Sequence, residues 1–71
     1  MTDSNALRER IKQSGMKYRY VAERVGITPY ALQRKIDNES EFKVSEVDVL
    51  ADLLGLTLWE KDAIFFSKQL N

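Results

Sequence analysis

The feature that most constrains this chain is the stretch 18–38, YRYVAERVGITPYALQRKIDN, in which two apolar stripes at helical spacing meet across a single glycine. Val21, Ala22 and Val25 form the first stripe, and Leu32 and Ile36 form the second. Each segment therefore has one face to bury, and the spacing predicts two short helices joined by a tight turn. Ala22 is small where two helices would cross closely. Gly26 sits where the chain must leave the first helix, a position that favours positive φ. Thr28 is placed to cap the second helix, Pro29 suits its first turn because that amide has no helical partner, and Ile27 can staple onto Leu32.

At Ala22, Gly26, Ile27, Thr28, Leu32 and Ile36 the sequence resembles the helix-turn-helix of phage repressors and Cro proteins, the Cro/CI-like or XRE-like regulators. Phe42, the Val44 to Leu54 helix and the closing IFF at 64–66 resemble the remainder of such a domain, so the likeness covers nearly the whole chain. It implies an all-α, lambda-repressor-like domain of five short helices, with the motif at helices 2 and 3. It also implies a DNA-binding transcriptional regulator, acting as a repressor, Cro-sized, bound to an operator as a homodimer.

Seventy-one residues allow one domain, 1–71, with a single modest core. With no Cys and no His, disulfides, thiol nucleophiles and the usual zinc ligands are excluded, and the commonest general base is missing. No metal or other cofactor is expected. MTDSNALRER lacks an apolar stretch of signal-peptide length, and no run approaches the roughly 18 apolar residues that span a bilayer. A cytoplasmic protein without membrane contact is expected. The net charge is zero, yet it is unevenly divided. Residues 1–43 hold nine Lys or Arg against six Asp or Glu, and residues 44–71 hold two against five, so the halves are +3 and −3. One basic face and one acidic face would result, which is compatible with DNA on the side of the motif.

Along the chain, Asp3 or Ser4 caps a first helix running to Ser14, with Leu7 and Ile11 inward and Gly15 as its stop. Met16 tucks back into the core, and Lys17 opens the second helix without a capping side chain. The second helix covers about 18–25 and the third about 29–36 or 37. Phe42, alone in the polar loop 38–43, reads as a plug that anchors the loop. Ser45 and Asp48 approximate a capping box for the fourth helix, with Val44 and Val49 as its staple, and Val47, Leu50, Ala51 and Leu54 as its stripe. After Gly55, Thr57 and Glu60 form a second capping box that starts a fifth helix, LWEKDAIFF. No segment shows sustained period-two alternation, so no sheet is expected.

With Leu32 at the centre of the buried face and about 100° per residue, Tyr30 and Arg34 fall nearly opposite, with Gln33 and Asp37 on the flanks. These side chains suit base edges: Arg can donate twice to guanine O6 and N7, Gln can pair with adenine, and a Tyr ring can meet a thymine methyl. In the family resembled, this helix enters the major groove with its N-terminal residues at the bases. Thr28, Tyr30, Gln33 and Arg34 are thus the expected base-reading residues. Pro29 stands where some relatives carry a base-reading Gln. Asp37 would repel phosphate unless it accepts from cytosine N4 or orients Arg34. Lys17, Tyr18 and Arg19, at a helix start whose amides favour an anion, and Lys43 are the expected phosphate contacts. Lys35 lies at the edge of the core face and reads as structural. Useful specificity needs two copies on half-sites about one helical turn apart. Trp59, Phe65 and Phe66 are more aromatic bulk than a short terminal helix needs, and are the candidates for a two-fold interface. Glu39 with Glu41, and Asp48 with Asp52, invite an acid-base reading, but nothing else of a catalytic site accompanies them, so no enzyme and no small-molecule substrate is expected. The rival reading is a protein-binding, antirepressor-like modulator that uses the same fold to bind a repressor or other phage protein, and a recombination accessory factor is a third.

Overall fold

Three left-handed glycines and a set of polar caps divide the chain into helices of 8 to 11 residues, each with one face to bury. The computed structural model describes residues 1–68, and among these the architecture is all-α. The elements are α1 Ser4–Ser14, α2 Tyr18–Val25, α3 Pro29–Ile36, α4 Val44–Leu54 and α5 Leu58–Phe65. Among the described residues no helix is long and apolar enough to cross a membrane.

The caps are chemical ones. The Asp3 carboxylate accepts from the Ala6 amide at the start of α1. α2 has no side-chain cap, and the Lys17 carbonyl receives only the helical bond from Val21. Gly26, at φ 90°, ends α2, and the amides of Gly26 and Ile27 both return to the Ala22 carbonyl. A Cβ on Gly26 would meet nothing within 4 Å, so this position demands glycine for its backbone angle and not for space. α5 begins with the reciprocal pair read from the sequence: Thr57 Oγ1 accepts from Glu60 N–H, and Thr57 N–H donates to the Glu60 carboxylate.

The start of α4 differs from the reading at Ser45 and Asp48. Its N-cap is Lys43, whose amide donates to Glu46 Oε1 at 2.8 Å, while Val44 is 73% exposed and staples nothing. The residues at the staple positions are Phe42, just before the cap, and Val47, which line one small cleft. The reason is tertiary. The Phe42 ring meets Phe65 edge-on, with centroids 5.5 Å apart and planes at 89°, and this anchor sets the helix start two residues before the best-looking cap. Phe42 is therefore the expected plug. Phe65 is a core residue at 5% exposure, so it drops out of the candidate two-fold interface, and Trp59 and Phe66 remain on the surface.

The core joins Leu7, Ile11, Val21, Ala22, Leu32, Ile36, Val47, Leu50, Ile64 and Phe65, so every helix contributes. α1 and α4 lie in the middle: α1 packs on α3, α4 and α5, and α4 packs on α1, α2 and α5. α2 packs on α3. The far end of α3 is tied to the start of α1 by side chains. The Ser4 hydroxyl donates to the Ile36 carbonyl, Arg8 pairs with Asp37, and the Asn38 amide, on a left-handed residue, exchanges hydrogen bonds with the Thr2 backbone. α3 is held at both ends.

One nearly buried ion pair joins α3 to α4. Lys35 Nζ lies 2.6 Å from Glu46 Oε1, with the two side chains 12% and 9% exposed, so Lys35 has the structural role read for it. Desolvation pushes the Glu46 carboxyl up. The Lys35 hydrogen bond, the Lys43 amide and the two nearby ammonium charges together outweigh it and hold the carboxyl below its usual value. Glu60 is also held low, first by the Thr57 amide and then by Arg10.

A carboxyl depressed in the folded state contributes stability that is complete above the unfolded value, about 4.3, and is lost as pH falls below that and through the lower folded value. Urea midpoints taken from about pH 6 down to about pH 3 should fall, and Glu46→Gln should flatten part of that fall, with Glu60 supplying a residual slope. An unchanged slope in Glu46→Gln would refute the contribution of this pair.

Candidate functional site

The site residues are organised by the turn at 26–28. Gly26 lets the chain reverse, Thr28 Oγ1 accepts from Ala31 N–H at 3.0 Å, and Pro29 opens α3. With the helix start pinned, Leu32 and Ile36 are wholly buried, and Tyr30 on the opposite side is 73% exposed. Arg34 is exposed beside it, and Gln33, on the flank, is half-buried. The helical projection from sequence is thus realised for all of these. Thr28 is exposed with its oxygen engaged as a cap; the hydroxyl proton remains available to donate.

Tyr30 and Arg34 form a unit. The guanidinium carbon lies 6.0 Å from the Tyr30 ring centroid, an i,i+4 cation–π contact on the exposed face. Glu39 completes it: Arg34 Nε is 3.5 Å from the Glu39 carboxylate. Of the roles left open for Asp37, orienting Arg34 is not the one the structure shows. Asp37 pairs with Arg8 of α1, and the partner of Arg34 is the residue two positions further on. The chain turns at Asn38, at φ 63°, and this brings Glu39 back over α3, a reversal that helical periodicity does not encode.

The expected phosphate contacts lie in three settings. Lys17 and Arg19 are exposed and share a shallow groove with Met16, Tyr20 and Glu23. The Tyr18 ring packs against the core and lines a separate groove with Arg8 and Lys12. Lys43 is exposed at the start of α4. The structure thus brings Lys17 and Arg19 together and separates Tyr18 from them. Lys17, Arg19 and Lys43 take part in no ion pair among the described residues, whereas Arg8, Arg10, Lys35 and Lys61 are each paired with a carboxylate.

A second Tyr–Arg unit was not singled out from sequence. Arg24 Nη1 donates to the Tyr20 hydroxyl at 2.8 Å, with its guanidinium 5.8 Å from the ring centroid. Its signal is legible in retrospect: Tyr20 and Arg24 repeat, ten residues earlier, the spacing of Tyr30 and Arg34. Each helix of the pair therefore displays a guanidinium steadied by a ring. Such a group can donate to phosphate, or to two acceptors at base-edge spacing.

On α5 and its C-cap, Trp59, 86% exposed, Ala63 and Phe66 follow at i, i+4 and i+7, leaving an apolar stripe on the surface. Among the described residues no group of three potential metal ligands is found. Comparison with family models, characterised proteins and solved structures finds no match for this chain.

The two faces of α3 should separate by substitution. Leu32→Ala should cost about 2 to 5 kcal/mol of folding stability, and Arg34→Ala should stay within about 0.5 kcal/mol of the parent, both read from urea denaturation. Exchanged effects would invert the assignment of faces.

Proposed function

We propose that the chain is a sequence-specific DNA-binding regulator of the Cro/CI-like type, with α2 and α3 as its helix-turn-helix and α3 in the major groove. The observation that carries this reading is the Tyr30–Arg34 pair, exposed on the face of α3 opposite Leu32 and Ile36, directly after a Gly-Ile-Thr-Pro turn. Thr28, Tyr30, Gln33 and Arg34 read base edges, and Arg34 donates to a guanine. Lys17, Arg19 and Lys43, with Arg24 added from the geometry, supply phosphate contacts, and Tyr18 contributes through its hydroxyl. One carboxylate of each pair that invited an acid-base reading has a structural partner: Glu39 pairs with Arg34, and Asp48 with Lys61. This favours a binding protein over an enzyme.

The protein acts in the cytoplasm as a homodimer on two half-sites and represses by occluding the polymerase. The exposed stripe of Trp59, Ala63 and Phe66 suits a two-fold contact. The same stripe, beside the acidic second half of the chain, also favours the alternative of a modulator that grips another protein.

Fluorescence anisotropy with random and upstream-region duplexes tests the reading. Binding should weaken with salt, with a log–log slope of about −2.7 per subunit if each touches about three phosphates. On a site selected from a random pool, Arg34→Ala should cost about 1 to 3 kcal/mol and blur the preference at one base pair. No salt-dependent binding to any duplex would overturn it, and a stoichiometric protein partner without a DNA shift would favour the modulator.

Trp59 reports the oligomer. Its emission in dilute protein should be that of a water-exposed indole, and should shift to the blue as the chain is concentrated or as operator DNA is added. Constant emission under both conditions would place the two-fold contact elsewhere.

A further inference from the structure

Arg34 and Arg24 each lie over a ring, but Arg24 Nη1 is engaged by its Tyr20 hydroxyl, and of the two only Arg34 has a carboxylate partner among the described residues. The Glu39 amide donates to the Arg34 carbonyl at 2.8 Å, which fixes Glu39 one turn beyond Arg34 whatever its side chain does. From there its carboxylate lies 3.5 Å from Arg34 Nε, and Arg34 Nη2 makes a long 3.4 Å bond to the Glu39 carbonyl. Glu39 thus faces the Nε edge of the guanidinium, with its carboxylate at ion-pair distance and its carbonyl at Nη2, and one face lies toward the Tyr30 ring. The end-on fork of Nη1 and Nη2 is the edge left for an outside acceptor pair.

A lone phosphate binds arginine largely through charge, and a carboxylate already beside the guanidinium offsets that attraction. Two acceptors at fixed spacing, such as O6 and N7 of guanine, bind mainly through the geometry of the fork, which the carboxylate and the ring keep extended.

We infer that Glu39 is a specificity-determining residue that acts through Arg34, holding its fork outward and suppressing its use as a general phosphate ligand. The inference rests on α3 being the base-reading helix. The pair is exposed, with side chains 44% and 61% accessible, so its effect is a bias between ligands and its loss leaves folding intact.

The test compares the parent chain with Glu39→Gln on a random duplex and on a selected site over a range of salt. Glu39→Gln should bind the random duplex about two- to fivefold more tightly, the range set by exposed ion pairs, with a slope steeper by about 0.9, one further phosphate. Affinity for the selected site should rise less, so the ratio of selected to random binding falls. Removing any acid raises attraction to DNA, so the same change is made in two backgrounds. The gain should vanish in Arg34→Ala and persist in Arg24→Ala. A gain that survives in Arg34→Ala, or an unchanged ratio, overturns the inference.

A measurement without DNA separates this inference from the reading beneath it. The Arg34 Nε–H signal in the NMR spectrum should exchange with solvent more slowly in the parent chain than in Glu39→Gln. Equal exchange in both overturns the latch itself. A protected Arg34 in a protein that binds no duplex overturns the specificity role by removing the base-reading function it serves.

Discussion

The structure depends on the complete burial of Leu32 and Ile36 on a helix of only eight residues. So short a helix has little stability of its own, and packing of its apolar face supplies what propensity cannot. Burial of that face then dictates everything on the other. With Leu32 inward, Tyr30 and Arg34 are forced out. The rotation of α3 is held from both ends, by Thr28 and the left-handed Gly26 before it and by Ser4, Arg8 and Asn38 after it. An interface side chain presented by such a helix is pre-oriented, and this reduces the ordering cost of binding a rigid surface.

Charge is partitioned in the same way. Arg8, Arg10, Lys35 and Lys61 each tie one element to another, so these cations serve the fold. At the Lys35–Glu46 pair attraction and hydrogen bonding outweigh desolvation, and the pair also orients α3 against α4. Lys17, Arg19, Arg24 and Lys43 are left on the surface of the half whose formal charge is +3. Among the described residues the neutral total therefore conceals unpaired cations on and just before α2, at Lys17, Arg19 and Arg24, with Lys12 on α1 and Lys43 at the start of α4, whereas both cations of α3 are paired.

Most of the fold was legible because it is local. The glycines, the Thr28 and Thr57 caps and the stripes at i, i+3 and i+4 act within one or two turns, and the five helices follow from them. The departures all involve partners distant in the chain. Ser45 has the better capping side chain, yet with Phe42 reaching Phe65 the cap of α4 is Lys43. Phe65 and Phe66 are adjacent and chemically alike, and only the packing made one core and the other surface. Asp37 stood closer to Arg34 than Glu39 did, but Arg8 claimed it once α1 was laid across the end of α3.

The sequence by itself determined the number of helices, their buried faces and the side chains displayed on α3, because periodicity and capping are properties of neighbours along the chain. Tertiary structure alone decided which charges were left unpaired, that Glu39 and not Asp37 attends Arg34, and that Trp59 and Phe66 stay on the surface while Phe65 is buried. The physical reason is that an ion pair or an aromatic contact needs its two groups within a few ångströms, and that proximity is created when helices pack.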